Sequence, residues 1–225
     1  MTQIKKDKMC PRISSASTFD AVVLCDGDYP SHPVPLSILS RAQYLVCCDG
    51  AGMHHILHGG TPDAIVGDGD SLPGDFKRRY ADILLQVDEQ DDNDQTKATR
   101  FCMDKGFRRI AFVGCTGKRE DHTLCNISLM MRYMKVFGLD VTMITDNGYF
   151  VPASGHQRFE SFARQQVSIF NFGCSHLSGK GFKWQPYPYK EWWQGGLNEA
   201  LGDEVEIDAD GDYLLFFTFD SKIPK

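Results

Sequence analysis

The sequence predicts an α/β protein: an N-terminal domain built on a parallel sheet, residues 1–147, followed by a smaller all-β domain, residues 148–225. Three observations predict it. Up to about residue 147, short apolar runs alternate with stretches of helical period, the pattern of strands joined by helical crossovers. Several of those runs are apolar on both faces, as strands buried in a parallel sheet are. After Asn147-Gly148 the runs turn β-branched and aromatic, separated by Gly/Asp turns, with no clear helix. The 225 residues leave room for both domains, and 42% hydrophobic content with 12% aromatic is enough to pack their cores.

In chain order, residues 21–25 (AVVLC), 44–48 (YLVCC), 64–66 (AIV), 83–87 (ILLQV), 110–114 (IAFVG) and 141–145 (VTMIT) read as strands. Residues 94–105 and 121–137 read as helices. In the second of these, Leu124, Ile127, Met131 and Met134 have the spacing of one buried stripe. Residues 167–172 (VSIFNF), 204–208 (EVEID) and 213–219 (YLLFFTF) are the strands of the second domain, and Asp210-Gly211 predicts a hairpin between the last two.

Lys and Arg number 24 against 30 Asp and Glu, a net charge of −6, which argues against a nucleic-acid partner. No segment approaches the roughly 20 apolar residues that span a bilayer. The first 17 residues carry basic side chains with no apolar stretch behind them, so no signal peptide is read there and a soluble cytoplasmic protein is expected. The eight cysteines include no CxxC pair, so a cysteine zinc site is not expected. Cys25, Cys47, Cys102, Cys115 and Cys125 lie in or beside apolar runs and read as small hydrophobes.

The acids are unevenly placed: residues 63–94 hold ten of the 30 against three bases. Ligands of α/β sheets sit beyond the carboxyl ends of the strands, and polar groups fall there repeatedly. Asp49 follows the second strand, Asp68 and Asp70 the third, the 88–94 run the fourth, and Lys118-Arg119-Glu120-Asp121 the fifth. In an extended segment Asp68 and Asp70 would point the same way, and paired carboxylates without His or Cys suit a hard cation such as Mg²⁺. An EF-hand count from Asp68 fails, with Pro73 in place of the glycine and Arg79 in place of the final glutamate. Each cluster by itself also reads as a solvated turn.

Asp94 opens a helix and Lys97 lies one turn on, on the same side, a pairing suited to metal and polyphosphate. The Gly114–Arg119 segment is not a Walker A loop, because Arg119 stands where Ser or Thr must follow the lysine. It still offers an anion two cations and a helix N-terminus. His54, His55 and His58 include an i, i+4 pair, for which a surface helix is expected ahead of zinc. Trp184, Trp192, Trp193, Tyr187 and Tyr189 cluster in the second domain, as core or as a stacking surface.

Taken in order, these blocks resemble the thiamin pyrophosphokinase family. The resemblance is carried by Asp49-Gly50, Gly67-Asp68-Gly69-Asp70-Ser71, Gln90-Asp91-Asp92-Asn93-Asp94-Gln95-Thr96-Lys97, Lys118-Arg119-Glu120-Asp121-His122, Gly181-Phe182-Lys183-Trp184 and Leu197-Asn198-Glu199. It covers roughly residues 20–219 and departs from the family at Asn93 (Thr), Lys118 (Gly) and Leu197 (Ser).

The resemblance implies a Rossmann-like catalytic domain followed by a β-sandwich domain for thiamin binding and dimerisation. It implies transfer of the pyrophosphoryl group of ATP to the hydroxyl of thiamin, in a homodimer with active sites between subunits, with Mg²⁺ on the phosphates. The metal ligands it implies are Asp68, Asp70, Asp91 and Asp94, and the catalytic set is Asp70, Asp94, Arg119 and Asp121. Ser71, Lys97 and Lys118 would hold nucleotide and phosphates, Asp49 and Gln90 would help fix the nucleotide or the acceptor, and Ser178, Trp184 and Asn198 would line the thiamin pocket. Either Asp70 or Asp121 is expected as general base. The competing readings are a pyrophosphokinase acting on another alcohol such as a hydroxymethyl pterin, a metal-dependent phosphohydrolase, and a non-catalytic binding module.

Overall fold

The structure, a computed structural model, describes residues 9–221. The chain divides into two compact units, residues 15–146 and residues 1–14 with 147–225. Residues 1–8, which include part of the segment read as lacking a signal peptide, lie outside the described residues.

Strand β1 (Met9–Cys10) opens the described chain and belongs to the second unit. The first unit then runs β2 (Ala21–Leu24), α1 (Pro33–Ser40), β3 (Leu45–Cys48), α2 (Gly50–Leu57), β4 (Ala64–Gly67), α3 (Gly74–Arg79), β5 (Leu84–Gln86), α4 (Asp94–Asp104), β6 (Arg109–Val113), α5 (Glu120–Lys135) and β7 (Asp140–Ile144). Its strands pair in parallel in the order β7-β6-β2-β3-β4-β5. The chain adds strands in one direction from β2 to β5, then returns to the other side of β2 for β6 and β7. The order therefore reverses between β2 and β6, and a crevice opens at their carboxyl ends.

All six expected strands of this unit form, within a residue or two of the expected ends. Helix α1 was not expected. Pro33 and Pro35 occupy its first turn, where their missing N–H groups cost nothing, and His32 Nδ1 accepts from Val34 N at 3.2 Å. The stripe on α5 is phased differently from expectation: Leu124 is exposed, whereas Met130, Met131 and Tyr133 are buried. Tyr133 sets that phase by stacking on Phe112 of β6 and sharing a 2.8 Å hydrogen bond with Thr96 of α4. Cys125, on the outer part of the same helix, is exposed rather than packed.

The second unit adds β8 (Gly148–Ser154), β9 (Gln157–Glu160), β10 (Gln165–Asn171), β11 (Leu177–Lys180), β12 (Asn198–Glu199), β13 (Glu204–Ala209) and β14 (Asp212–Ser221). One sheet runs β1-β9-β13-β11, and within this unit β12-β10-β14-β8 forms a second, antiparallel array. They face one another: the Phe159 ring of β9 lies 5.7 Å from the Phe217 ring of β14. Because β1 pairs in parallel with β9, the first described residues go with this unit rather than with the N-terminal domain as expected.

The Asp210-Gly211 turn is not a hairpin. β13 and β14 belong to different sheets, so the turn carries the chain from one layer to the other. The Asp210 carboxylate fixes it by accepting from the Ser175 and His176 N–H groups, each at 2.9 Å.

Candidate active site

The strand ends of the first unit gather carboxylates around one buried lysine. Asp49 caps α2 with φ 34°, a left-handed backbone that a non-glycine residue adopts only under constraint. Its N–H is tied to Val66 O at 3.0 Å, and its carboxylate accepts from the Ser71 hydroxyl. The other oxygen, Oδ1, is buried and takes no hydrogen bond. The Cβ of Asp49 lies 2.7 Å from where a Cβ on Gly67 would stand, so only glycine lets β4 end against it.

Asp68 and Asp70 do not lie side by side as an extended segment would place them. Residues 68–70 form a turn in which Asp68 Oδ1 accepts from the Asp70 N–H at 3.0 Å and Gly69 takes φ 76°. Asp70 is therefore exposed. Gln90 Nε2 reaches Asp68 Oδ2 at 3.4 Å. The Asp70 N–H, with smaller help from Gln90 and the Lys97 charge, holds the Asp68 carboxyl below its ordinary range.

Helix α4 supplies the centre. Asn93 caps it, accepting from Thr96 N at 3.0 Å, and Lys97 Nζ lies 3.5 Å from Asp94 Oδ1. The Lys97 side chain is 3% exposed. Burial raises the Asp94 carboxyl above its ordinary value; Lys97 opposes this, and the charges of Asp49 and Asp68 add to it. Asp94 at the start of α4 thus feels the charges of Asp49 after β3 and Asp68 after β4.

Asp91 is exposed and shares none of these contacts. Its neighbour Asp92, not singled out from sequence, turns the other way. Arg100 Nη2 meets it at 2.5 Å and Arg132 Nη1 at 2.7 Å, which clamps the acidic loop to α4 and α5.

The end of β2 also escaped the sequence reading. Asp26 Oδ1 lies 3.0 Å from both Lys118 Nζ and His54 Nδ1. The loop it opens is laced to the loop after β6 by Gly27 N to Gly114 O at 2.7 Å and Asp28 N to Thr116 O at 2.8 Å. A Cβ on Gly50 would sit 3.1 Å from Asp26 Oδ2 and 3.2 Å from Ser71 Oγ, so this loop and the Asp49 cluster are continuous. A cleft of about 220 Å³ lies at the reversal between β2 and β6, lined by Asp26, Tyr29, His54, His58 and Lys118 among others. The signal was present in the sequence: Asp26-Gly27-Asp28 follows an apolar run, as the other acidic strand ends do.

The histidines of α2 are spent on neighbours: His55 Nδ1 on the Tyr29 hydroxyl at 2.9 Å, His58 Nδ1 on His54 O at 2.8 Å, with the Tyr29 ring stacked 4.1 Å from that of His58. Arg119 forms a two-pronged pair with Asp121, at 3.1 and 2.6 Å, on the exposed start of α5. That pairing depresses the Asp121 carboxyl, a poor setting for a general base.

In the second unit Trp184 and Asn198 are brought together. Asn198 Nδ2 donates to Trp184 O at 2.7 Å and its Oδ1 accepts from Trp184 N at 3.2 Å, while the indole is 51% exposed with Lys183 Nζ 4.8 Å above it. Ser178 lies half-buried on β11, opposite Asp208 of β13.

The family model of the thiamin pyrophosphokinase catalytic domain matches residues 36–143, and that of the thiamin pyrophosphokinase substrate-binding domain matches residues 148–216. The chain belongs to the thiamin pyrophosphokinase family. Solved thiamin pyrophosphokinase structures share its mixed α/β fold. The Bacillus subtilis protein is 18% identical over 89% of this chain and 99% of its own, with a TM-score of 0.72. The Candida albicans protein is 16% identical over 95% and 93%, with a TM-score of 0.75. The yeast protein is 14% identical over 95% and 92%, with a TM-score of 0.74. No curated protein matches the chain.

For the metal that the thiamin pyrophosphokinase resemblance implies, the four expected ligands are not gathered as one group, because the 68–70 turn and the exposed loop hold Asp70 and Asp91 apart from Asp68 and Asp94. No cluster of three or more His, Cys, Asp or Glu among the described residues is arranged to hold a metal alone. The donor chemistry nonetheless fits Mg²⁺, which is held by one or two carboxylates plus substrate phosphates. The site is all oxygen, it concentrates negative charge, and Asp49 Oδ1 is left unpartnered within it. Among the described residues no helix is long and apolar enough to cross a membrane.

Proposed function

We propose that this enzyme transfers the pyrophosphoryl group of ATP to the hydroxyl of thiamin, giving thiamin diphosphate and AMP, with a Rossmann-like catalytic domain and a β-sandwich domain that binds thiamin. The observation that carries the reading is the convergence of Asp49, Asp68 and buried Lys97 on Asp94 at the strand ends of a chain matched by both family domains. Pyrophosphoryl transfer is chiefly positioning and charge neutralisation. Lys97, anchored by Asp94, presents one cation, and Lys118 and Arg119 present two more at the mouth of the crevice. Their carboxylate partners Asp26 and Asp121 keep both cations oriented until phosphates compete for them.

Asp68 and Asp94, with Asp49 beside them, would hold Mg²⁺, which when bound neutralises the polyphosphate and stabilises the charge developing on its oxygens. The 68–70 turn and Gln90 orient Asp68 for that task. Of the two candidate bases, the exposed and unpaired position of Asp70 suits proton acceptance better than Asp121 in its arginine pair.

The thiamin side rests on Trp184, whose exposed ring can stack on a cationic heterocycle, and on Asn198, which fixes the backbone beneath it. Exposed Trp193 and Leu201 of the same unit support the homodimer, which is proposed as cytoplasmic. The test is mass-spectrometric product analysis with ATP, Mg²⁺ and either thiamin or a hydroxymethyl pterin. AMP and thiamin diphosphate are expected together and only with thiamin. AMP without an acceptor would make the protein a hydrolase, and pterin diphosphate would reassign the acceptor.

A further inference from the structure

Three thiols from neighbouring strands meet behind the cleft, and the transfer chemistry uses none of them. Cys25 follows β2, Cys48 ends β3 and Cys115 follows β6, and all three are buried. Cys115 Sγ lies 3.1 Å from Cys25 Sγ, and Cys48 Sγ lies 3.9 Å from it. The backbone enforces the closer pair. Cys25 N donates to Val113 O at 2.8 Å, and Gly114, at φ 67°, would place a Cβ 2.8 Å from Cys25 O. No side chain can therefore stand between the two segments. Of the three thiols only Cys25 lines the cleft.

We propose that Cys25 and Cys115 are an oxidisable dithiol that closes to an intramolecular disulfide when hydrogen peroxide enters the cleft, and that closure arrests the transfer. The Cys25 sulfur attacks the peroxide, the O–O bond breaks, and a sulfenic acid and one water form. The Cys115 sulfur then displaces the hydroxyl, which leaves as a second water. Two thiols and one peroxide give one disulfide and two waters, with two electrons passing from sulfur to oxygen. A disulfide needs S–S of about 2.05 Å, so the sulfurs approach by about 1 Å. The segments drawn together carry Asp26 on one side and Lys118 and Arg119 on the other, and the hydrogen bonds between them transmit the shift. The hydrogen bond from Cys115, together with burial, keeps the Cys25 thiol protonated, so the reaction is slow and sets in only under sustained oxidation.

The experiment exposes the full-length protein to hydrogen peroxide, alkylates remaining thiols, and maps linked peptides by mass spectrometry beside an activity assay. A Cys25–Cys115 peptide is expected, with a fall in transfer of about tenfold to a hundredfold, the scale of a misplacement near 1 Å, reversed by dithiothreitol. Cys115→Ala, shown folded by circular dichroism, should keep its activity through the same treatment, whereas Cys125→Ala should remain sensitive. Alkylation of both Cys25 and Cys115 after exposed Cys125 has been oxidised overturns the proposal. So does a Cys25–Cys48 link in place of the expected one, or a linked protein of undiminished activity. The peptide map reads the bond without reference to catalysis, so it stands even if the substrate assignment fails.

Discussion

Lys97 Nζ lies 3.5 Å from Asp94 Oδ1, one turn apart on α4, with the lysine 3% exposed and the aspartate 37%. The lysine charge favours the ionised form of both Asp68 and Asp94, so it helps set how much negative charge the strand ends tolerate.

Lys97→Met therefore has a pH signature. Burial already raises the Asp94 carboxyl above 3.8, and Lys97 opposes that rise. A carboxyl raised in the folded state stabilises folding while protonated and loses that contribution as pH climbs through its folded value. Removing the lysine raises Asp94 further, so the deficit against wild type grows from pH 4 to pH 7. At neutral pH about 1–3 kcal/mol is expected, the low side for a buried pair because Asp94 is partly exposed. Thermal melts in EDTA at the two pH values measure it, and a deficit larger at pH 4 would contradict the assignment.

Asp68→Asn keeps the acceptor for the Asp70 N–H and removes only the charge. Turnover should fall by at least about a hundredfold, the scale of losing a bound cation's charge stabilisation, with the fold retained. The opposite pKa shift of Asp68 gives the opposite sign. Its stabilising contribution is present above 3.8 and lost as pH falls through the depressed folded value, so the stability gap between Asp68→Asn and wild type narrows in acid.

Asp92→Ala should open the acidic loop without touching a residue assigned to metal or phosphate. Its carboxylate is buried, but both arginine partners are substantially exposed, so the expected loss is about 1–2 kcal/mol. Hydrogen exchange should rise at residues 88–93, and the Mg²⁺ concentration for half-maximal activity should rise more than the KM for thiamin.

Leu197 sits at φ 63° and is 67% exposed, a strained backbone that buries little in return. Leu197→Gly should stabilise the protein by about 0.5–1 kcal/mol, the relief of left-handed strain less the added chain entropy of glycine. Chemical denaturation reads it directly.

Arg119→Ala should leave the melting temperature unchanged, because its pair with Asp121 is fully solvated, while raising the KM for ATP. A change in stability without a change in KM would make the pair structural.

Much of the fold was legible because most strands of the first unit are buried on both faces and need nothing beyond apolar runs such as 21–25 and 110–114 to declare themselves. Helix α1 was not expected, and its two prolines sit in the turn that tolerates them. The Asp210-Gly211 turn reads locally as a hairpin, and nothing in a dipeptide says whether the next strand pairs with the last or crosses to another sheet. In the site, Asp94 and Lys97 were legible through helical spacing. Asp26 was passed over although Asp26-Gly27-Asp28 repeats the form of Asp68-Gly69-Asp70, and the separation of Asp70 from Asp68 depends on a turn driven by one side-chain hydrogen bond.

By itself the sequence determined the alternation of strands and helices, the family, and the concentration of carboxylates at strand ends, since periodicity and residue chemistry are local properties. Tertiary structure decided which of those carboxylates meet. Asp49 and Ser71 are 22 residues apart, and Asp92 and Arg132 are 40 apart. Only the parallel register of β3 beside β4, and the packing of α4 and α5, bring such partners within reach. The same register sets Cys25 against Cys115 across 90 residues, a pairing that no spacing in the chain announces.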